Sequence, residues 1–567
     1  MEKKLKILVL SIIFCIALAV RLFHIYPEFY SSDMVSEISR VTDAVPKSES
    51  PSLWPKSYSI DAVSGNPLLV LSDTYSPLGA TIMMLNVLLF DSMGLIINET
   101  VWILPTILIG ALTVVLVYFI GSHFNGLKGG LLGALFFILF PIHVWQSRYP
   151  TAGDTLGFFV QSLTVYAFLR YFYTMKRFWA LVFGFSLGAC FFSNLQWFGI
   201  FPLLIVSSVL LNDKNRKIFR RIKSALYSFW RWEIVLPTII ALIGLFIISI
   251  LIGQYRGQIF GGSLGYLMKK VDMNELGVYI PFYIRHIISE AGPMVALLIP
   301  FFWAIGIIYI LRLKLCALLW FWSLCYTLPY LFFVGPKTTS PANYYGPGLQ
   351  AMTLFIAVCL SEQMDAKIIW RRAGAWIITV LILISCAYSN LITSYNLPIW
   401  NPLNLAGRTG NYVPTQGFKS AGYWIRHYSP QKAKIFAFEY GGMGMEPSVG
   451  HYYFDRITIG MYDAPSFDAI LLYYKKYALQ ADYLVIRPRD YVLLKHDERK
   501  YFLYKIAEVH DVHLNILLEI YTRKIPQDLK ILNDKIISRS FDKEFGHLRF
   551  LRGERKLFSV IKNFQKQ

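Results

Sequence analysis

Apolar runs long enough, or nearly long enough, to cross a bilayer recur from the N-terminus to about residue 392. They lie near 6–25, 78–97, 101–121, 130–146, 155–173, 178–194, 197–212, 233–253, 291–311, 315–334, 345–363 and 373–392. A hydrocarbon core about 30 Å thick needs about 20 apolar residues per helical span, and lipid offers no partner to an unpaired backbone group. The chain therefore reads as a polytopic α-helical membrane protein. Composition agrees, since 55% of the 567 residues are hydrophobic and 16% charged, against roughly 25% charged in a soluble domain. The net charge of +20 fits basic residues flanking spans and facing anionic lipid, and calls for no nucleic acid. The six cysteines lie in or beside apolar segments without CxxC spacing, so neither a disulfide framework nor a structural zinc is implied.

Charge sets the sidedness. The basic start "MEKKLK" followed by an apolar run without a convincing cleavage site reads as an uncleaved signal anchor, N-terminus cytoplasmic. If every run crossed, the most basic connection, "NDKNRKIFRRIKSALYSFWRWE", would lie outside, against the positive-inside rule. One run must stay on the surface. The weakest is 78–97, whose uninterrupted stretch is short, contains Asn86 and ends at Asp91. Runs of about 10–14 residues are more often interfacial. With that run laid on the outer face, about 11 spans remain. Lys128, Lys176, Arg177, Arg312, Lys314, Arg371 and Arg372 then face the cytoplasm, and everything beyond about 396 lies outside. The chain divides into a membrane module, 1–395, and a small extracytoplasmic α/β domain, 396–567.

This sidedness gathers four polar segments on one face: the 26–77 loop, "QSRYPTAGD" at 146–154, the 254–290 loop and "GPKTTSPANYYGP" at 335–347. Asp33, in the first, is either ordinary loop polarity or a base at the membrane surface. Glu37 follows at i+4 and would share a helical face with it. Arg148 and Asp154 flank a Pro-Thr-Ala-Gly turn. Arg148 could hold a phosphate bidentately. Asp154 either caps the next helix or serves as a functional carboxylate at a polar cavity. Arg21 stands near the outer end of the first span, either snorkelling or binding an anion. Arg256, Arg285 with His286, and Lys337 are further outer-side cations. No GxxxxGK[ST] or HExxH pattern is present.

The order Arg-Leu-Phe closing the first span, then an acidic motif, then "YSPLG", then "SRYPTAGDTLGFF" resembles the GT-C glycosyltransferases. It looks most like the branch of protein O-mannosyltransferases and lipid A aminoarabinose transferases. The run "GGLLGALFFILFPIHVWQSR" and the late segment "ANYYGPGLQAMTLFIA" add to the likeness, which covers about residues 1–395 in arrangement. The resemblance implies a GT-C-like fold with juxtamembrane helices in the first outer loop. Asp33 matches the first acid of the family's Asp-Glu pair, the catalytic base. Asp154 matches the second essential acid, and Arg148 the preceding arginine. Tyr75, Ser76 and Pro77 match the Pro-Pro-Leu region, and Tyr344 and Tyr345 fall in the late Arg-Tyr-x-x-Pro segment as cavity residues. Met34 replaces the glutamate of the pair, and Asn343 stands where an arginine is common.

The resemblance and the sidedness together imply an inverting glycosyltransferase. Its expected donor is a sugar on a polyprenyl phosphate, and its acceptor is a hydroxyl of a lipid, protein or glycan. Asp33 serves as base, and Arg148, Arg21, Lys337 and Arg285 hold the phosphate. Glu37, Tyr75, Tyr344 and Tyr345 would line the cavity. No cofactor is required; a divalent metal is compatible with the reaction but not indicated. A transporter or flippase of lipid-linked glycans is the rival, but neither internal repeats nor many mid-span charges are present. Beyond Asn396, "TQGFKSAGYWIRHYS" has imperfect helical spacing, and "AKIFAFEY", "ADYLVIRP", "YKIAEVHD" and "NILLEIYTRK" read as strands.

Overall fold

The computed structural model describes residues 3–23, 59–60, 77–94, 99–148, 152–193, 230–251, 287–312, 315–333, 342–395, 418–430, 432–438, 454, 456–459, 467–510, 516–524 and 558–560. The chain forms two compact units. Met1–Phe23, Asp73–Leu89 and Val101–Arg408 make a helical bundle, while His24–Ser72, Phe90–Thr100 and Thr409–Gln567 make the second unit.

The helices are α1 (Lys3–Leu22), α2 (Pro77–Ser92), α3 (Glu99–Leu139), α4 (Pro141–Gln146), α5 (Ala152–Thr174), α6 (Arg177–Ser193) and α7 (Trp232–Leu251). There follow α8 (Pro293–Leu311), α9 (Ala317–Phe333), α10 (Ala342–Met364) and α11 (Ile369–Thr393). Among the described residues, Lys4–Leu22, Thr100–Leu139, Pro293–Leu311 and Ile369–Thr393 are long and apolar enough to cross a membrane. The run expected at 197–212 lies outside the described residues. The other eleven runs each fall on a described helix, two of them on α3. α2, with 16 residues, reaches only about 24 Å at 1.5 Å per residue. It packs Leu78 and Ile82 on Leu156 and Val160 in the first turns of α5, and its Asn86 amide donates to the Val101 carbonyl at 2.7 Å.

α3 is not one rod. Asn125 (φ −141°, ψ 43°) and Gly126 (φ 55°, ψ −149°) break it into two arms. The left-handed φ at 126 suits glycine, which has no Cβ to clash. The arms fold back on each other: a Cβ at Gly121 would sit 2.5 Å from the Gly129 carbonyl oxygen, and one at Gly130 would sit 2.8 Å from that of Tyr118. Small residues let membrane helices approach this closely.

Polar contacts sort the bundle into two ends. At one, Lys6 lies over the Phe119 ring, and Asn125 Nδ2 donates to Ser361 Oγ at 2.7 Å. Lys128 pairs there with Asp365, Arg231 reaches Tyr171 Oη at 3.0 Å, and the Tyr309 hydroxyl donates to Glu362 at 3.0 Å. Trp230 (76% exposed), Trp232 (75%) and Trp370 (83%) stand beside Arg231, Arg371 and Arg372 at this end, as an interfacial aromatic belt would. The starts of α5 and α10 and the finishes of α1, α3 and α11 meet at the other end.

The second unit is a seven-stranded sheet of order β1-β3-β2-β4-β6-β5-β7. β2 (Lys434–Phe438), β3 (Ile457–Ile459), β4 (Tyr483–Ile486), β5 (Tyr504–His510) and β6 (Ile516–Thr522) are joined by the short edges β1 (Ser59–Ile60) and β7 (Phe558–Val560). β1, β3, β2 and β4 run parallel, and β6, β5 and β7 continue antiparallel. β4 is buried along its length and β2 along four of its five residues, as strands covered on both faces are. Phe436, Phe438, Leu484 and Ile486 pack with Tyr473 and Tyr474 of α13 (Phe467–Tyr477). On alternate residues, Tyr483 meets Trp424 of α12 (Phe418–Tyr428). The 504–510 and 516–522 pair sets Glu508 opposite Glu519. Lys505 lies between them, at 2.7 and 3.1 Å, offsetting the like-charge repulsion. Burial would lower the Lys505 pKa, but bonds and attraction from both glutamates outweigh it and raise it.

Two outcomes test this fold. Gly121→Leu drives a side chain into the opposing backbone and should abolish monodisperse protein in detergent, whereas Gly244→Ala, with nothing within 4 Å, should leave the melting temperature unchanged. Glu498 accepts from the Lys495 N–H at 2.8 Å and from Lys475 at 3.0 Å. Burial raises its pKa, but these two lysines outweigh that and hold it below the ordinary carboxylate range. Its stabilisation is therefore present above the unfolded pKa of about 4.3 and lost as pH falls through the lower folded value. The melting-temperature gap between wild type and Glu498→Gln should hold from neutral pH to about pH 5 and close below about pH 4.

Candidate active site

The end of the bundle away from the tryptophan belt carries two buried arginines from distant parts of the chain. Arg21 occupies the last turn of α1, where a cation meets the negative end of the helix dipole. It is fully buried. Nη1 donates to the Ala17 carbonyl at 2.8 Å and Nη2 to that of Phe137 at 3.5 Å. Nη2 also lies 2.6 Å from His143 Nδ1. A guanidinium has only donors, so His143 Nδ1 accepts and the imidazole proton sits on Nε2. Gly110 of α3 makes room: a Cβ there would lie 2.9 Å from Arg21 Nε. Among the described residues, the hydrogen-bond partners of Arg21 are carbonyls and an imidazole, none a carboxylate.

Arg148 follows α4, whose Ser147 returns its hydroxyl to the His143 and Val144 carbonyls at 2.8 and 2.9 Å. The Arg148 side chain is 5% exposed. Its Nη1 donates to the Ser394 carbonyl, and its guanidinium carbon lies 4.7 Å from the centre of the Tyr395 ring. Tyr395 in turn donates its hydroxyl to the Val20 carbonyl at 2.7 Å and meets Phe23 edge-on at 5.1 Å. Burial raises the Tyr395 pKa while Arg148 and Arg21 draw it down; the net shift is upward, so the phenol keeps its proton. Asn390 and Ser394 complete the clasp, donating to the Leu139 carbonyl at 2.5 Å and the Pro141 carbonyl at 3.2 Å.

Of the residues singled out in the sequence, Arg21 and Arg148 come together here through α1, α4 and the end of α11. Asp154 is the third residue of α5, inside the first turn rather than at the cap position. Its backbone lies one turn before Phe158, whose ring stacks on Phe137 at 5.7 Å and stands 6.0 Å from His143. Tyr344 and Tyr345 sit in the first turn of α10. One turn further, Gln350 donates to Gln146 at 3.1 Å, so this helix start belongs to the same end. Asp33, Glu37, Tyr75, Arg285 and Lys337 lie outside the described residues. Sequence reasoning missed His143, Asn390, Ser394 and Tyr395. His143 stands inside the quoted "FPIHVWQSR", where a polar residue in an apolar run was the available signal. Nothing near 390–395 marked that segment as a site. Among the described residues no three His, Cys, Asp or Glu side chains gather to hold a metal.

No protein-family model and no curated protein matches the sequence. Solved structures do match the fold. ArnT from Cupriavidus metallidurans in the apo state is 11% identical at a TM-score of 0.55, covering 92% of this chain and 99% of that one. The same protein bound to undecaprenyl phosphate superposes at 0.53, again 11% identical, over 93% and 100%. The archaeal oligosaccharyltransferase AglB from Archaeoglobus fulgidus, in complex with an inhibitory peptide and a dolichol-phosphate, superposes at 0.52 with 13% identity, over 92% of this chain and 75% of that one. The chain has the GT-C fold. The resemblance read from short motifs is thus matched by independent geometry. That fold and the four helices long and apolar enough to cross a membrane agree on a helical membrane protein.

Breaking the Arg21 contact should be costly, because it leaves the His143 nitrogen and the Phe137 carbonyl without this donor. Arg21→Gln and His143→Phe, made singly and together, should show a coupling on the order of 1–3 kcal/mol in detergent unfolding, as groups in one network do. Additive effects would show that the two do not share a network.

Proposed function

We infer that this protein is a membrane glycosyltransferase that moves a sugar from a polyprenyl-phosphate donor to an acceptor hydroxyl at the extracytoplasmic surface. The observation that carries this reading is the pair of buried arginines, Arg21 and Arg148, fixed at the end of a GT-C bundle where α5 starts, with Asp154 in its first turn. Solved proteins of this fold hold dolichol-phosphate or undecaprenyl phosphate. A phosphate at that end would meet two arginines that the fold already holds in place.

In the proposed reaction Asp33 takes the proton of the acceptor hydroxyl. The acceptor oxygen attacks the anomeric carbon from the face opposite the phosphate. The bond from that carbon to the phosphate oxygen breaks, inverting the centre, and the polyprenyl phosphate leaves with the electron pair. One displacement needs one base, unlike a retaining glycosidase with its second carboxylate nucleophile. Arg148 binds the phosphate directly, and Arg21 contributes its field from behind. Lys337 and Arg285 join from the outer loops, and Glu37, Tyr75, Tyr344 and Tyr345 line the sugar and acceptor cavity. Asp154 is the second acid of the site. Such pre-placed cations stabilise charge as it develops on the leaving group. The bundle carries about 11 spans with a cytoplasmic N-terminus, and the sheet unit stands outside the membrane. Its acceptor is a lipid, protein or glycan.

The test is release of polyprenyl phosphate by purified full-length protein in nanodiscs, supplied with polyprenyl-phosphate sugars and a panel of acceptors. Wild type should turn over. Asp33→Asn should lose about 10²–10⁴-fold in kcat with donor binding intact, and Arg148→Ala should weaken donor binding. Turnover by Asp33→Asn at the wild-type rate would remove the base from this scheme.

A further inference from the structure

The large apolar side chains that the second unit leaves exposed are concentrated in one region. Among its described residues they are Leu472, Leu479, Val492, Leu493 and Ile516, with Leu472 and Val492 exposed to 72% and 71%. Four of the five fall on α13, on the short 3-10 turn Ala478–Gln480 that follows it, and on the 488–500 segment. Leu472, Lys475, Lys476 and Leu479 are spaced three or four residues apart and share the outward side of that helix. Ile470, Tyr473 and Tyr474 fill its inward side and pack in the core. The 488–500 segment is fastened beside the helix. Lys475 Nζ lies 3.0 Å from the Glu498 carboxylate, the Tyr474 hydroxyl donates to the Glu498 carbonyl at 3.1 Å, and Arg499 Nη2 donates to the Val492 carbonyl at 3.0 Å.

Cations accompany these side chains. Lys476, Lys495 and Lys500 are exposed there. Residues 467–500 hold seven lysines and arginines against five acids. Two of the acids, Asp490 and Glu498, are buried and face Arg489 and Lys475 at 3.5 and 3.0 Å. Asp497 lies 3.9 Å from Lys500, Asp482 accepts from the Lys434 N–H, and Asp468 stands in the first turn of α13. Residues 409–567 as a whole carry 25 lysines and arginines against 17 acids. Protein interfaces favour aromatic side chains and arginine and are depleted of lysine. Aliphatic side chains accompanied by lysines are instead the pattern of elements that lie on anionic bilayers. The helical unit ties this one to a bilayer permanently, so that even a weak contact acts at high effective concentration.

We propose that this face of the second unit rests on the lipid headgroup surface of the membrane in which the chain is embedded. Leu472, Leu479, Val492 and Leu493 enter the interfacial layer, and Lys476, Lys495 and Lys500 meet anionic headgroups. The proposal goes beyond the glycosyltransferase reading and does not depend on it.

The experiment uses full-length protein in nanodiscs of phosphatidylcholine, with or without phosphatidylglycerol. A nitroxide is attached to Leu472→Cys or Leu479→Cys in a Cys15→Ser background, because Cys15 is an exposed native thiol. Its collision rates are read with oxygen, which concentrates in lipid, and with a neutral nickel chelate, which stays in water. In discs containing phosphatidylglycerol, oxygen collisions should persist and nickel collisions should fall by about 2-fold or more relative to phosphatidylcholine alone. Lys476→Gln, Lys495→Gln and Lys500→Gln combined should remove that difference at an unchanged melting temperature. Frequent nickel collisions in both kinds of disc would leave the face in water and overturn the proposal. A nitroxide shielded from both reagents would lie under protein, which overturns it as well. Shielding from nickel that ignores phosphatidylglycerol would remove the lysines from the contact and sink the proposal as stated.

Discussion

A guanidinium ion enclosed in an apolar helical bundle is expensive, by several kcal/mol for each ion left without compensation. Much of the architecture at one end of this bundle answers that cost at Arg21. The α1 helix offers the Ala17 carbonyl one turn back. The second arm of α3 contributes the Phe137 carbonyl, and α4 the imidazole of His143. The acceptors beyond α1 lie at a helix junction, where the Phe137 carbonyl is spare because Pro141, four residues on, has no N–H; the Ala17 carbonyl, already paired within α1, accepts with its second lone pair. Helix ends must therefore converge on Arg21, and that convergence is what brings Arg148 and Tyr395 into the same neighbourhood.

The fold was legible where a single periodic signal decided it. Eleven apolar runs fell on ten of the described helices, and the cationic connections sorted them into two ends, with Lys128, Arg231 and Arg312 on the side opposite Arg21. The break in α3 was also legible, as the gap between the runs at 101–121 and 130–146. Strands β2, β4, β5 and β6 were legible from short β-branched and aromatic runs. β1 was not, because two residues, Ser59 and Ile60, carry no periodicity, and their pairing with β3 depends on a partner some 400 residues away.

The candidate site was half legible for a related reason. Arginine is conspicuous in apolar sequence, so Arg21 and Arg148 could be found by charge alone. His143, Asn390, Ser394 and Tyr395 are the residues that hold them, and a neutral polar group near a helix end is too ordinary to stand out. Their role exists only in three dimensions: Asn390 and Ser394 reach carbonyls some 250 residues earlier, and Tyr395 reaches Val20 over 375 residues. Reading spacing along the chain finds groups that act within one element. It does not find a clasp whose halves lie at opposite ends of the module.

Such a clasp has a physical rationale in a membrane. On the function proposed above, a lipid-linked phosphate would arrive at a fixed depth, set by its own anchor, with little freedom to search along the membrane normal. A cation on a loose loop would have to be ordered at each encounter, at about 0.5–1.5 kcal/mol for one rotamer-rich side chain. Arg148 instead donates to the Ser394 carbonyl and lies over the Tyr395 ring, with Tyr395 tied to the same turn of α1 that carries Arg21. The two cations are thereby locked to one depth before any ligand is present. Folding, rather than binding, then bears the ordering cost, which is the condition under which electrostatic stabilisation of a leaving phosphate is largest.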